Sequence, residues 1–263
     1  MQVHNRNVPC AHTLAFIIGP GVVRIAASPQ DEIMEEERKD YDLGAVFTEA
    51  ASEYGYEDVT AEFAEFDELR LKWIRHGEWA RFFVSDYLKD APRDVMASIA
   101  CTLMKKICCV EGSSYSEEVC RWLTDEGFVE RNQPLYIRRK GDISPVDEGR
   151  HKDLRASFGR LVSSGLLHED PSVYLGWDET RSGQGAGRFS VLLKVAAVTS
   201  RLDTERVSDE ALDFALYSLA LNIDLGFAPC RKRNEREYAD LMASYPDAGR
   251  LTEELARIGV SVR

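Results

Sequence analysis

Hydrophobic positions change period several times along the chain, and each change marks an element. Val59, Ala61 and Phe63, then Leu69, Leu71 and Trp73, alternate with polar neighbours, the period of half-buried strands. Arg75-His76-Gly77-Glu78 reads as a hairpin turn and Trp79 to Val84 as the returning strand, so residues 66–84 predict a β-ribbon. After Asp90-Ala91-Pro92 the period becomes helical: Val95, Ile99, Leu103 and Ile107 share a face that Met96, Ala100 and Met104 widen. Ser116 to Asp125 predicts another helix, and FVERNQPLYIRR, residues 128–139, a mixture of loop and strand. Ser144 and Pro145 have the cap and first-turn chemistry of a helix start, with Leu154, Phe158, Leu161 and Val162 on the buried face.

Residues 181–188, RSGQGAGR, contain GxGxG. A phosphate loop leads from a strand into a helix N-terminus, whereas here the following Phe189 to Ser200 reads as a strand. A mobile hairpin or connecting loop is the better reading. The last strong segment is DEALDFALYSLALNIDLGF, residues 209–227. Ser208 is placed to cap it, Asp209 and Glu210 suit the positive end of its dipole, and Gly226 is a natural stop. Apolar residues occupy nearly every face, which predicts a central helix, with Ser218 and Asn222 one turn apart inside it.

The N-terminal part is less patterned. Residues 1–54 read as a leader and an acidic segment, with a solvated helix over residues 31–58 ending near Gly55. TLAFIIGPGVV, residues 13–23, imitates the apolar part of a signal peptide, but Gly19-Pro20-Gly21 breaks it and a cytoplasmic protein is expected. The net charge of -12 opposes a broad phosphate-binding surface and therefore nucleic acid as a partner. No stretch predicts a membrane span. The six cysteines lack CxxC spacing and read as reduced, mostly buried thiols.

A family resemblance rests on the order strand, acidic connection, buried helix. With ALDFALYSLALNIDLGF as that helix, the order resembles zincin-type metallopeptidases, particularly SprT/WLM-like and related archaeal families, whose helix reads like LDYVLYHELLH and is followed by a pattern similar to HxxxF. Leu212-Asp213-Phe214 and Leu216-Tyr217 keep the approach to the motif, and FVSDYLKDAP and FVERNQPLYIRR are similar to other segments of the archaeal members. The resemblance runs from about residue 55 to the C-terminus. It implies an α+β, zincin-like unit over residues 55–263, a mixed sheet or β-ribbon around the central helix.

Carried over residue by residue, the motif is degenerate. Ser218 stands at the first histidine, Leu219 at the general-base glutamate, Asn222 at the second histidine, and Asn234, with Tyr238 following, at the third ligand. Catalytic zinc wants three strong protein ligands and an open position for water, and leucine accepts no proton. The resemblance therefore implies no catalytic residue, no metal and no cofactor at this face, and a binding or interaction protein whose partner is a peptide or protein segment. The alternative is an active hydrolase using residues that sequence does not identify. A third reading is a bland core helix whose Ser and Asn bond to the backbone.

Other chemistry is sparse. Glu148 and His151 form a Glu-x-x-His turn without the second pair a dimetal centre needs, and a solvated helix face is expected. His76 and His168 lack ligand-spaced partners, and Arg138-Arg139-Lys140 and Arg231-Lys232-Arg233 read as solvated runs. Residues 86–107 echo residues 203–223 in an acidic turn followed by an apolar helix.

Overall fold

The computed structural model describes residues 12–15, 41–111, 113–180, 183–227 and 231–262, with the side chains of 12–15 and 231–234 outside the description. The leader at 1–11, the signal-like segment beyond Ala15, and residues 31–40 of the acidic segment lie outside the described residues. The chain divides into two units, Met1–Val119 and Cys120–Arg263. The boundary expected at residues 54/55 falls inside the first. The class is α+β.

In the first unit, strand β1 (His12–Ala15) precedes helix α1 (Leu43–Ser52), strands β2 (Asp58–Ala64), β3 (Arg70–His76) and β4 (Trp79–Ser85), and helix α2 (Arg93–Ile107). Asp42 caps α1 by accepting from the Gly44 N–H, and Gly55 supplies the left-handed turn after it at φ +78°. Contrary to the solvated helix expected, α1 buries Leu43, Val46, Phe47, Ala50 and Ala51, and the Phe47 and Phe82 rings pack at 4.8 Å. The β3–β4 hairpin turns where expected, with Gly77 at φ +58°. Its alternation sends Leu71, Trp73, Ala80, Phe82 and Val84 into the core. β2 joins β4 in parallel and β1 joins β3, so the ribbon becomes a sheet of order β1-β3-β4-β2.

The second unit contains α3 (the part of Glu117–Leu123 from Cys120), α4 (Glu126–Lys140), α5 (Leu154–Ser163), β5 (Tyr174–Asp178), β6 (Gly187–Ser190), β7 (Val195–Thr199), α6 (Asp209–Asp224), α7 (Arg231–Ser244) and α8 (Ala248–Arg257). Three expectations are corrected here. Residues 128–139 are helical rather than loop and strand: Asp125 caps α4, Gly141 ends it at φ +63°, and Phe128, Val129, Asn132 and Tyr136 are buried at helical spacing. Pro134 sits inside that helix, and the fixed tertiary face outweighs its lost N–H. The next helix starts at Leu154, not at Ser144: Asp153 caps it through the Ala156 N–H. The chain before it is held out of helix by Asp203, whose carboxylate accepts from the Arg150, His151 and Lys152 N–H groups at 2.7–3.0 Å.

The third correction concerns residues 189–200. They form a hairpin rather than one strand, because Val191–Lys194 turn with Lys194 at φ +48° and with Leu192 and Leu193 buried. In the sheet of order β5-β7-β6, β7 is central, paired in parallel with β5 and antiparallel with β6. Among the described residues no helix is long and apolar enough to cross a membrane.

The two units repeat one topology. In each, a helix leads to a strand, then a hairpin, a one-turn 3-10 helix (Asp86–Leu88, Ser200–Leu202) and a long helix. In each, the last strand is central, parallel to the first and antiparallel to the second. The final helix packs on the leading one, α2 on α1 and α6 on α5. Leu88 and Leu202 end the two 3-10 turns fully buried. The two echoing stretches, residues 86–107 and 203–223, from which no repeat architecture was expected, carry the long helices α2 and α6 of the two units.

Candidate functional site

Helix α6 forms as its end signals predict: Ser208 Oγ accepts from the Ala211 N–H, and Gly226 follows the last turn at φ +72°. Twelve of its residues, Ala211 to Leu221 and Ile223, are buried. Within it Ser218 Oγ donates to the Ala215 carbonyl at 2.7 Å, and Asn222 Nδ2 donates to the Ser218 carbonyl at 2.8 Å. Tyr238 of α7 donates its hydroxyl to that same Ser218 carbonyl at 3.0 Å. Burial pushes the Tyr238 phenol up, opposed by a hydrogen bond with Asn222. Ser218, Asn222 and Tyr238 thus meet, while Asn234 lies one turn before Tyr238 in α7 with its side chain outside the described residues.

Leu219 belongs to the apolar core of the unit and points toward β6. A Cβ at Gly187 would stand 2.0 Å from the Ala197 carbonyl oxygen and 2.9 Å from Leu219 Cδ1, so glycine is needed there for close approach. That accounts for one glycine of GxGxG by packing. The loop before it, expected to be mobile, is tied to the chain end: the Ala186 N–H donates to the Ser261 carbonyl and the Ser261 N–H to the Gln184 carbonyl. Residues 181–182 of that stretch lie outside the described residues.

Asp213 of α6 is a structural clamp. Arg160 of α5 holds Asp213 with two hydrogen bonds, at 2.8 and 2.6 Å, and Ser157 adds a third at 2.5 Å. Hydrogen bonding to Asp213 raises the Arg160 guanidinium above its usual value. Phe214 and Tyr217 each pack a ring on Tyr245 at 4.9 Å, and burial, reinforced by the Asp213 charge, pushes the Tyr245 phenol up to about 12.

On the other side of α6 the structure holds a cavity of about 430 Å³ that sequence reading missed. Ala220, Ile223 and Asp224 line it from α6, with Val129, Phe158 and Leu167 among its apolar walls. At 100° per residue, Ala220 and Asp224 are turned about 200° and 240° from Ser218, so the cavity and the Ser218–Asn222 face are opposite sides of one helix. His168, expected to be isolated, is paired at the rim: its Nδ1 lies 3.0 and 3.1 Å from the two Asp224 carboxylate oxygens, and its N–H donates to Oδ1 at 3.0 Å. Lys194 bonds Asp170 Oδ2 at 2.8 Å and Ser172 Oγ at 2.9 Å. Burial opposes ionisation of Asp170, yet hydrogen bonds from Lys194 and Ser172 hold its carboxyl below the usual value.

The remaining sequence candidates do not assemble. Glu148 and His151 lie in loop rather than on a helix face, and His151 Nδ1 stands 3.6 Å from Glu205. His76 packs beside Trp79 at the hairpin. Arg138–Lys140 form the last turn of α4, where cations favour the dipole, and the side chains of Arg231–Arg233 lie outside the described residues. Cys101 and Cys109 are exposed and Cys108 and Cys120 half-buried, not core residues as expected: Cys101 falls on the outer face of α2, and Cys109, at φ +55°, lies beyond its end. Cys10 and Cys230 lie outside the described residues. Among the described residues no three or more His, Cys, Asp or Glu side chains are placed to hold a metal ion.

No family model, curated protein or solved structure matches this chain.

Proposed function

We propose that the chain is a non-catalytic binding or interaction protein, built on a zincin-like scaffold whose ligand and base positions have been replaced. One observation carries the non-catalytic half of the reading, the half that a plain core helix shares: the polar side-chain atoms of Ser218 and Asn222 are spent inside the protein. Ser218 and Asn222 donate to backbone carbonyls of their own helix, Tyr238 closes on the same Ser218 carbonyl, and Leu219 is buried in the core. The return of α7 across α6 at Tyr238 is the crossing that a third ligand on that segment would need, and it supports the scaffold half of the proposal.

Loss of chemistry at α6 follows twice over. Neutral Ser and Asn offer no imidazole to a metal, and Leu219 offers no base to a water. An extended peptide requires neither, since it is held by backbone hydrogen bonds along a strand edge. In the sheet of order β5-β7-β6 such an edge is offered by β6, Gly187–Ser190, and not by β7, which is flanked on both sides. The free thiols at Cys101, Cys108, Cys109 and Cys120 suit a reducing compartment, in keeping with a cytoplasmic protein.

A hydrolase working elsewhere is favoured by one feature, the His168–Asp224 pair, since a carboxylate on Nδ1 leaves Nε2 to take a proton. A peptide-cleavage assay separates the readings. No turnover is expected from wild type. Turnover abolished by the Ser218→Ala, Asn222→Ala double variant contradicts the proposal, and turnover abolished by His168→Ala selects the hydrolase.

A further inference from the structure

The cavity beside the C-terminal end of α6 has the size and chemistry of a ligand site, and we infer that it takes a small organic ammonium ion carrying an apolar body. The inference does not depend on whether α6 once held a metal, because it concerns the opposite face of that helix.

Size sets the class. About 430 Å³ lies within the range of small-molecule sites, and the walls formed by Val129, Phe158, Leu167 and Ile223 suit an aryl or alkyl group.

Charge sets the head group. Asp170 is matched by Lys194, while Asp224 at the same rim is met, among the described side chains, by the His168 ring, with the His168 backbone N–H on the same carboxylate, and Glu169 adds a further carboxyl to the lining. His168 is 91% exposed and is held to Asp224 at the surface, so a cation arriving from solvent displaces it without disturbing the core, whereas Asp224 is only 19% exposed. The carbonyl end of the sixteen-residue α6 closes on this rim, and no basic side chain stands in its last turn to offset the negative end of the dipole. Phe227, just beyond the helix stop, adds an aromatic lining for a cation. Carboxylate, helix end and aromatic ring all favour an ammonium over an alcohol or a carboxylate. The apolar walls discriminate against a bare metal ion, which has no use for them.

The test is titration of the full chain with 2-phenylethylammonium, followed by ligand-observed NMR, beside its neutral and anionic counterparts 2-phenylethanol and 3-phenylpropionate. Saturable binding of the ammonium is expected, with the other two at least about tenfold weaker, the scale of a hydrogen bond to a charged group. Asp224→Asn, which keeps an acceptor for the His168 N–H, weakens the ammonium about tenfold, and Val191→Trp at the half-buried rim abolishes its binding. No saturable binding, equal binding of the three probes, or binding untouched by the substitutions overturns the inference. Should Asp224→Asn fail to fold, the probe series on wild type and Val191→Trp decide it.

Discussion

The Tyr238 hydroxyl donates to the Ser218 carbonyl at 3.0 Å, tying α7 to the middle of α6. Asn222 donates to the same oxygen, which leaves the carbonyl doubly bonded outside the helix ladder. Tyr238→Phe removes one of these bonds while keeping the ring, and a loss of about 1 kcal/mol in denaturant unfolding is expected. An unchanged midpoint would detach α7 from this face.

The glycines of GxGxG should separate by packing. Gly187→Ala drives a Cβ to 2.0 Å from the Ala197 carbonyl oxygen and against Leu219, a clash of backbone with backbone. It should cost about 3 kcal/mol or more. Gly185→Ala meets nothing closer than 3.7 Å and should be nearly neutral. Thermal unfolding of the two variants checks the contrast; equal shifts would contradict it.

Asp213 is the hub of the α5–α6 contact. Asp213→Ala removes both Arg160 bonds and the Ser157 bond, and a loss of about 2 kcal/mol is expected. Arg160 is 45% exposed and recovers water, which keeps the loss below that of a fully buried pair. Chemical denaturation measures it, and a variant as stable as wild type would make the clamp decorative.

Acid should loosen the second unit through Asp142 and Asp170. Burial raises both, but hydrogen bonds outweigh it, from Arg188 and Thr180 on Asp142 and from Lys194 and Ser172 on Asp170, so both folded-state values are lowered. Their contribution is fully present above the unfolded carboxylate value, about 4, and is lost as pH falls through the lowered folded values. Wild type should therefore lose stability below about pH 4 more steeply than the Asp142→Asn, Asp170→Asn double variant. Parallel acid limbs in thermal unfolding would remove these two carboxyls from the explanation.

Legibility followed sequence distance. The β3–β4 hairpin, α2 and α6 were readable because each carries its signal within one segment: alternation around Gly77 in the hairpin, the helical period in α2, and period, Ser208 cap and Gly226 stop together in α6. Helix α4 was hidden by Pro134, which tertiary burial of Phe128 and Tyr136 overrides. The turn between β6 and β7 was hidden because Val191, Leu192 and Leu193 are apolar, the two leucines buried, and the turn lacks the Gly, Pro or Asn that mark exposed turns. At the site, the shared face of Ser218 and Asn222 was readable as i and i+4 on a helix, and the aromatic position at Tyr238 from the downstream pattern. The His168–Asp224 pair was not. Its partners are 56 residues apart, and only the packing of a loop on the end of α6 brings them together.

The scaffold proposal is tested most directly by putting the ligands back. In Ser218→His, Asn222→His, Asn234→His the three positions assigned by the metallopeptidase pattern regain imidazoles, the first two at i and i+4 on one face of α6. Elemental analysis of this variant, beside wild type and with folding followed by thermal unfolding, should find one tightly held zinc per chain in the variant and none retained by wild type. Stoichiometric zinc in wild type, or a folded variant that holds none, would contradict a metallopeptidase-like scaffold with a replaced ligand set.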